Sequence, residues 1–395
     1  MIGPAANSPL RPALVTIVGV LLVLFARRPE SFLHPQFWAE DASIFYLQAD
    51  FMGPSALIQS YGGYHDLLLR LLAATAATLD PLWIPAAFFW SSLTVVVAVT
   101  LALFSPRLEL PHRPWLALAV VLVPHTGEVF HSLTNAQWVS ALGLVLLLLV
   151  RDPERGWQWI SDGLAAALLG LTGVFSILLV PLFLARAVVR LSRAAWLLAA
   201  IITTAAVTQV VALLHTVASP PTGSSSLFEI VRTLGHRVWA SLLLPPALAG
   251  SVSAGVLAGA GVLATTALAV AGPRRAGPQS TRLMLWGCFA AVFAGMVYKL
   301  RGELWVLTYL GNGDRYFFPA QGAGPLAADP RMGPTLAMAL LASLAAFRFI
   351  PFINYDWPAW AAKIRANEPV VVPINPEGST FTHPGHPQHK PGANR

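Results

Sequence analysis

Apolar runs bounded by charge, proline or glycine recur near residues 12–26, 82–104, 114–127, 136–150, 158–172, 174–189, 194–214, 283–299 and 332–349. Another is expected from about residue 252, once Pro245-Pro246 has broken the stretch 238–271. The pattern predicts an all-α fold, a polytopic transmembrane helical bundle of about ten spans. Several runs are shorter than the roughly 20 residues of a perpendicular span, so their helices are expected to extend into flanking polar residues. Two stretches fall outside the pattern. Residues 28–80 form a long first loop with short helical patterns of its own, and 350–395 form a Pro-, His- and Asn-rich tail. The domains are therefore a helical part, 1–349, that includes the loop, and a short polar tail. From Gly378 onward that tail has little to pack with and is expected to be disordered, which makes His383, His386 and His389 part of a polar terminus rather than a metal site.

Composition agrees with lipid as the solvent. The 395 residues are 56% hydrophobic and 11% charged, against about 45–50% and about 25% in soluble domains. A soluble enzyme, a disordered chain and a transmembrane β-barrel are excluded on that ground. The net charge of +7 does not point to nucleic acid, because the arginines sit in short loops between apolar runs instead of a folded basic module. They set orientation. With the N-terminus cytoplasmic, the inner loops carry Arg107, Arg113, Arg151, Arg155, Arg186, Arg190, Arg193, Arg274, Arg275 and Arg282 against Glu109, Asp152 and Glu154. Arg27-Arg28, just after the first run, opposes this orientation. No small-x-small cleavage site precedes that pair, so the first run reads as a retained helix. The single Cys288 cannot form an internal disulfide.

Candidate chemistry concentrates in the loops that this orientation places outside. In Phe37-Trp38-Ala39-Glu40-Asp41-Ala42-Ser43-Ile44-Phe45, helical spacing puts Glu40 and Asp41 on the arc of the large apolar side chains. Carboxylates there need a cation, a substrate or a pocket. An irregular solvated loop is the alternative. Gly62-Gly63 marks a tight turn between Tyr61 and Tyr64, which sit at the interface, with His65 and Asp66 as candidate substrate contacts. Glu128, His131, Asn135 and Gln137 gather at the mouth between two helices, where Thr134 or Asn135 would also serve as an N-cap. Gly170 and Gly173 would let helices approach closely. Lys299, Arg301 and Arg315 stand beside aromatics and suit an anionic, lipid-linked group.

Taken together, Glu40-Asp41 after the first helix, Tyr61-Gly62-Gly63-Tyr64-His65 leading to Arg70, Thr134-Asn135-Ala136-Gln137-Trp138 and Arg315-Tyr316 resemble the GT-C fold glycosyltransferases. The chain is also similar to little-characterised bacterial membrane proteins with Phe-Trp-Ala-Glu-Asp near the start and Pro-Ile-Asn-Pro, here 373–376, near the end. The resemblance implies a multi-pass enzyme of the bacterial inner membrane. Such an enzyme would move a sugar from a polyprenyl-phosphate donor to an envelope glycan, lipid or protein acceptor. It implies Asp41 or Glu40 as general base, and Arg315 with Arg301 or Lys299 on the leaving phosphate. Tyr64, His65, Asp66, Glu128, His131, Asn135 and Gln137 would line the sugar or acceptor cavity. Beyond the lipid-linked donor the sequence does not fix a cofactor: Glu40 and Asp41 could ligate Mg²⁺ or Mn²⁺, but oxygen-only sites leave no spacing signal. The competing readings are a transporter or lipid flippase, and a non-catalytic scaffold. Against transport, nearly every ionisable residue maps to a loop or helix end, and no two halves of the chain correspond.

Overall fold

The computed structural model describes residues 10–386, apart from 124–127, 217–222, 242–243, 245–249, 272–278, 306–312 and 322–351. The chain is mostly helical. Four helices, Leu10–Arg27, Pro81–Ala102, Arg193–His215 and Arg282–Lys299, are long and apolar enough to cross a membrane, as expected of a multi-pass integral membrane protein. The runs predicted at 114–127, 136–150, 158–172 and 174–189 form the helices Arg113–Leu122, Ala136–Leu149, Gly156–Gly170 and Phe175–Arg190, of 10, 14, 15 and 16 residues. Among the described residues, full spanning length is therefore present in four helices and not in ten. A further helix, Ala254–Ala271, follows the predicted break. Pro245-Pro246 and the run 332–349 lie outside the described residues.

Every residue of Ala136–Leu149 is buried, so its apolar sequence, interrupted only by Gln137 and Ser140, belongs to a helix packed on all sides. Several arginines close the open ends of their neighbours. Arg186 donates to the carbonyls of Leu147 (2.8 Å) and Val150 (2.7 Å) at the C-terminus of Ala136–Leu149, where a helix leaves carbonyls without intrahelical partners. At the other end of the bundle, Arg27 does the same for Val121 (2.6 Å) and Val123 (3.0 Å). The cation that opposed the charge rule thus serves as a cap for the adjacent helix. Gly170 packs where an added Cβ would stand 2.9 Å from that of Ala205, the close helix contact expected of it.

The loop after the first helix is a string of short elements. Asp41–Tyr46 is a wide π-helical turn, Leu47–Met52 is α-helical and Gly53–Ile58 is 3₁₀. Ser60–Tyr61 and Tyr64–His65 pair as an antiparallel hairpin, turned by Gly62 and Gly63 at φ 62° and 91°. Leu67–Ala76 follows as a helix.

The tail corrects one expectation. Trp357–Arg365 is a helix, and Val370–Ile374 pairs antiparallel with Ser379–His383. Phe381 and His383 are buried, so the chain does not lose its packing at Gly378. Alternation along both strands turns one face inward, where Phe381 meets Phe37 (5.9 Å between centroids) and Tyr46 (6.3 Å). Its contacts also fix its place in the fold. Trp38 and Asn375 form a β-bridge, Trp357 Nε1 donates to the Pro81 carbonyl (2.9 Å), and Arg365 Nε donates to Asp80 (2.9 Å). Tail and first loop therefore pack against each other at one end of the bundle.

Candidate functional site

The two adjacent carboxylates diverge. Ala39 takes a positive φ of 40°, and the π-turn that follows aims Asp41 into the bundle and Glu40 across the loop. Asp41 is buried and accepts from Thr134 N (2.7 Å), Thr134 Oγ1 (2.6 Å), Leu133 N (3.1 Å) and Ser132 Oγ (3.4 Å). Burial pushes its pKa up to about 6, and the Thr134 and Leu133 donors hold it from rising further. Thr134 therefore serves Asp41, not the helix start. Asn135 occupies the N-cap position without a side-chain capping bond, and its amide instead donates to the Glu128 carbonyl (2.6 Å). Glu40 and Asp41 thus take separate hydrogen-bond partners, although the Glu40 charge still reaches Asp41 and helps to raise its pKa.

Glu40 is half-buried and accepts the Tyr61 hydroxyl (2.9 Å). Its charge reaches Arg315, whose side chain is paired with Glu128 at 3.1 Å. Burial alone would lower the Arg315 pKa, but Glu128 and Tyr316 outweigh it and raise it. The Lys299 ammonium lies 5.3 Å from the Tyr316 ring centroid and 5.9 Å from that of Tyr64, within cation–π range. Tyr64 is buried, and its hydroxyl meets the side chain of Gln137. Tyr316 packs edge-on against Trp138 at 5.3 Å.

Below this group lies Asp66, fully buried, with neither carboxylate oxygen in a well-formed hydrogen bond. The Gly173 N–H that approaches it is already given to the His65 carbonyl (3.0 Å). Burial raises the Asp66 pKa to about 8, against the pull of Arg70. Arg70 donates Nη1 to Gln48 (2.8 Å) and lies over Phe45 (5.2 Å), while its Nε and Nη2 have no partner. A carboxyl and a guanidinium with incomplete hydrogen bonding are thus buried beside Tyr61 and Tyr64.

Most of the predicted site residues meet here: Glu40, Tyr64, Asp66, Glu128, Gln137, Lys299 and Arg315, with Asn135 holding the Glu128 backbone. Two do not. Arg301 donates to its own helix at the Tyr298 carbonyl and covers the Tyr298 ring at 4.2 Å. His131 packs between Phe32 (5.7 Å) and Phe89 (5.8 Å), with its pKa lowered by burial and then by Arg28 and Arg27. His65 contributes mainly through its backbone. Gln209, missed in the sequence, clamps the hairpin by accepting from His65 N (2.7 Å) and donating to the carbonyls of His65 (2.9 Å) and Gly173 (3.0 Å). A lone amide inside the apolar run 194–214 was the available signal. In the sequence pattern Tyr61 stands only as an interface anchor, and Arg70 enters only through the family resemblance.

Gly173 ties the clamp to the site. Its φ is +76°, and an added Cβ would stand 2.9 Å from Gln137 Oε1. Gly173→Ala is expected to cost about 1–2 kcal/mol from the left-handed backbone alone. It should lower the melting temperature of the detergent-solubilised protein, whereas Gly156→Ala, in open space, should not.

Compared with protein-family models, with curated proteins and with solved structures, the chain matches none.

Proposed function

We propose that this protein is a membrane glycosyltransferase that moves a sugar from a polyprenyl-phosphate donor to an envelope glycan, lipid or protein acceptor on the extracytoplasmic side. The observation that carries the reading is the cluster at one end of an apolar bundle. There a half-buried carboxylate, Glu40 on Tyr61, faces cations on aromatic rings, Arg315 and Lys299, beside the open polar atoms of Asp66 and Arg70. A lipid phosphate suits the cations, its polyprenyl chain suits the apolar surroundings, and sugar hydroxyls suit Asp66 and Arg70.

In this reading Glu40 is the base, because the hydrogen bonds to Asp41 are committed to holding residues 132–134. Glu40 accepts the proton of the acceptor hydroxyl as its oxygen attacks the anomeric carbon. The bond from that carbon to the phosphate oxygen breaks, and the electron pair leaves with the phosphate. Arg315 and Lys299 stabilise the charge that grows there. A single displacement inverts the anomeric centre. The chain crosses the inner membrane about ten times, with its N-terminus cytoplasmic, and the helices shorter than a full span complete their crossings with flanking residues.

The test is sugar transfer from a panel of radiolabelled polyprenyl-phosphate sugars in membranes containing wild type or Arg315→Ala at equal abundance. Arg315→Ala is expected to lower transfer from the active donor by about 10²–10³-fold. Absence of transfer from every donor would sink the reading and direct attention to lipid translocation.

A further inference from the structure

We propose that Asp50, His383 and His386 form a divalent transition-metal site of the zinc class, which fastens the C-terminal hairpin to the Leu47–Met52 helix. It lies apart from the sugar-transfer cluster, uses none of its residues and stands independently of that reading. Asp50 Oδ2 is 3.2 Å from His383 Nε2 and 3.1 Å from His386 Nε2, and the three ligand atoms lie within 4.8 Å of one another. With metal bonds of about 2.0–2.1 Å, neighbouring ligand atoms in a tetrahedral site stand about 3.3 Å apart. The two measured separations are therefore close to tetrahedral edges. Two imidazoles and one carboxylate are a zinc-type donor set, with water in the fourth place.

The surroundings orient these ligands. The His383 side chain is 0% exposed and Asp50 18%, whereas His386 is 49% exposed and leaves a path of entry. His383 stacks on Tyr46 at 6.2 Å and His386 on Phe51 at 4.6 Å. Asn367 fixes the His386 backbone from both sides, donating to its carbonyl (2.9 Å) and accepting its N–H (2.5 Å). Gly385 N donates to His383 Nδ1 (3.3 Å), and ligation through Nε2 places the ring proton on Nδ1 at the cost of that one long hydrogen bond. The apolar pattern of the hairpin supplies only Phe381 and its neighbours as anchors. A metal would lock its end to an element more than 330 residues earlier in the chain.

The test uses the full chain in detergent, purified without a histidine tag, stripped with chelator and titrated with Co²⁺. One equivalent is expected to give the visible bands of a low-coordinate nitrogen and oxygen site, abolished by Zn²⁺. Asp50→Asn and His386→Ala should each weaken binding by at least about tenfold, while His215→Ala leaves it unchanged. His386 is half exposed, so its replacement leaves the fold intact. As a second readout, Zn²⁺ should slow amide hydrogen exchange across 379–386 in wild type and not in Asp50→Asn. Absence of a stoichiometric Co²⁺ spectrum, or a spectrum unaltered by both ligand variants, would overturn the proposal.

Discussion

Glu40→Gln is expected to lower sugar transfer by about 10²–10⁴-fold, the usual contribution of a positioned general base, in a protein that still folds. The amide retains an acceptor for Tyr61, so the 2.9 Å hydrogen bond survives and only the capacity to take a proton is lost. Asp41→Asn is expected to fail differently. Its two oxygens receive donors from Thr134, Leu133 and Ser132, and an amide would turn an NH₂ toward at least one of them. Leaving a buried donor without an acceptor costs about 1–3 kcal/mol, so the second variant should melt at a lower temperature. Measuring transfer and melting together on both variants separates the roles. Full transfer by Glu40→Gln at normal abundance would remove Glu40 as the base.

The second large effect is a loss of stability as pH rises. Asp66 is fully buried, and its pKa is pushed from 3.8 to about 8, so the folded state holds a proton that the unfolded chain has already released. Stability from that proton is complete below about pH 4 and is lost as pH rises through about 8. Asp41, raised to about 6 by burial, acts in the same sense, but its loss is complete by then. Between pH 6 and 8 Asp66 contributes a loss of about 1.4 kcal/mol per pH unit, or about 3 kcal/mol over the window, opposed near pH 6.5 by His131, which burial keeps neutral in the fold while the unfolded chain gives up its proton. Melting in detergent across pH 5–9 should therefore show wild type falling relative to Asp66→Asn, most clearly above pH 7 where His131 no longer contributes. Parallel curves would mean that Asp66 is ionised in the folded protein.

Apolar runs of helical length are local, so the helices at 12–26, 82–104, 136–150 and 194–214 were legible from hydropathy alone, as was the Gly62-Gly63 turn from its dipeptide. Their lengths were less legible, because helix ends depend on which groups cap them, and Arg186 and Arg27 reach those ends from other helices. Gln209 could be seen as an odd polar residue in a span, but not what it holds.

The strongly local properties, then, were determined by the sequence: an apolar all-α chain, the position of its helices, the turn at Gly62-Gly63, and a first loop rich in carboxylates and aromatics. Only the tertiary structure separated Glu40 from Asp41. A single π-turn after Ala39 sends one carboxylate to Tyr61 and the other to residues 132–134, and no periodicity rule for an α-helix encodes that divergence. It also decided that His131 is enclosed by Phe32 and Phe89, that Arg301 stays on its own helix, and that the tail folds back onto the first loop. These outcomes depend on contacts between residues tens to hundreds of positions apart. Each such contact must offset the entropy of ordering both partners, and which contacts succeed is settled by the packed bundle as a whole.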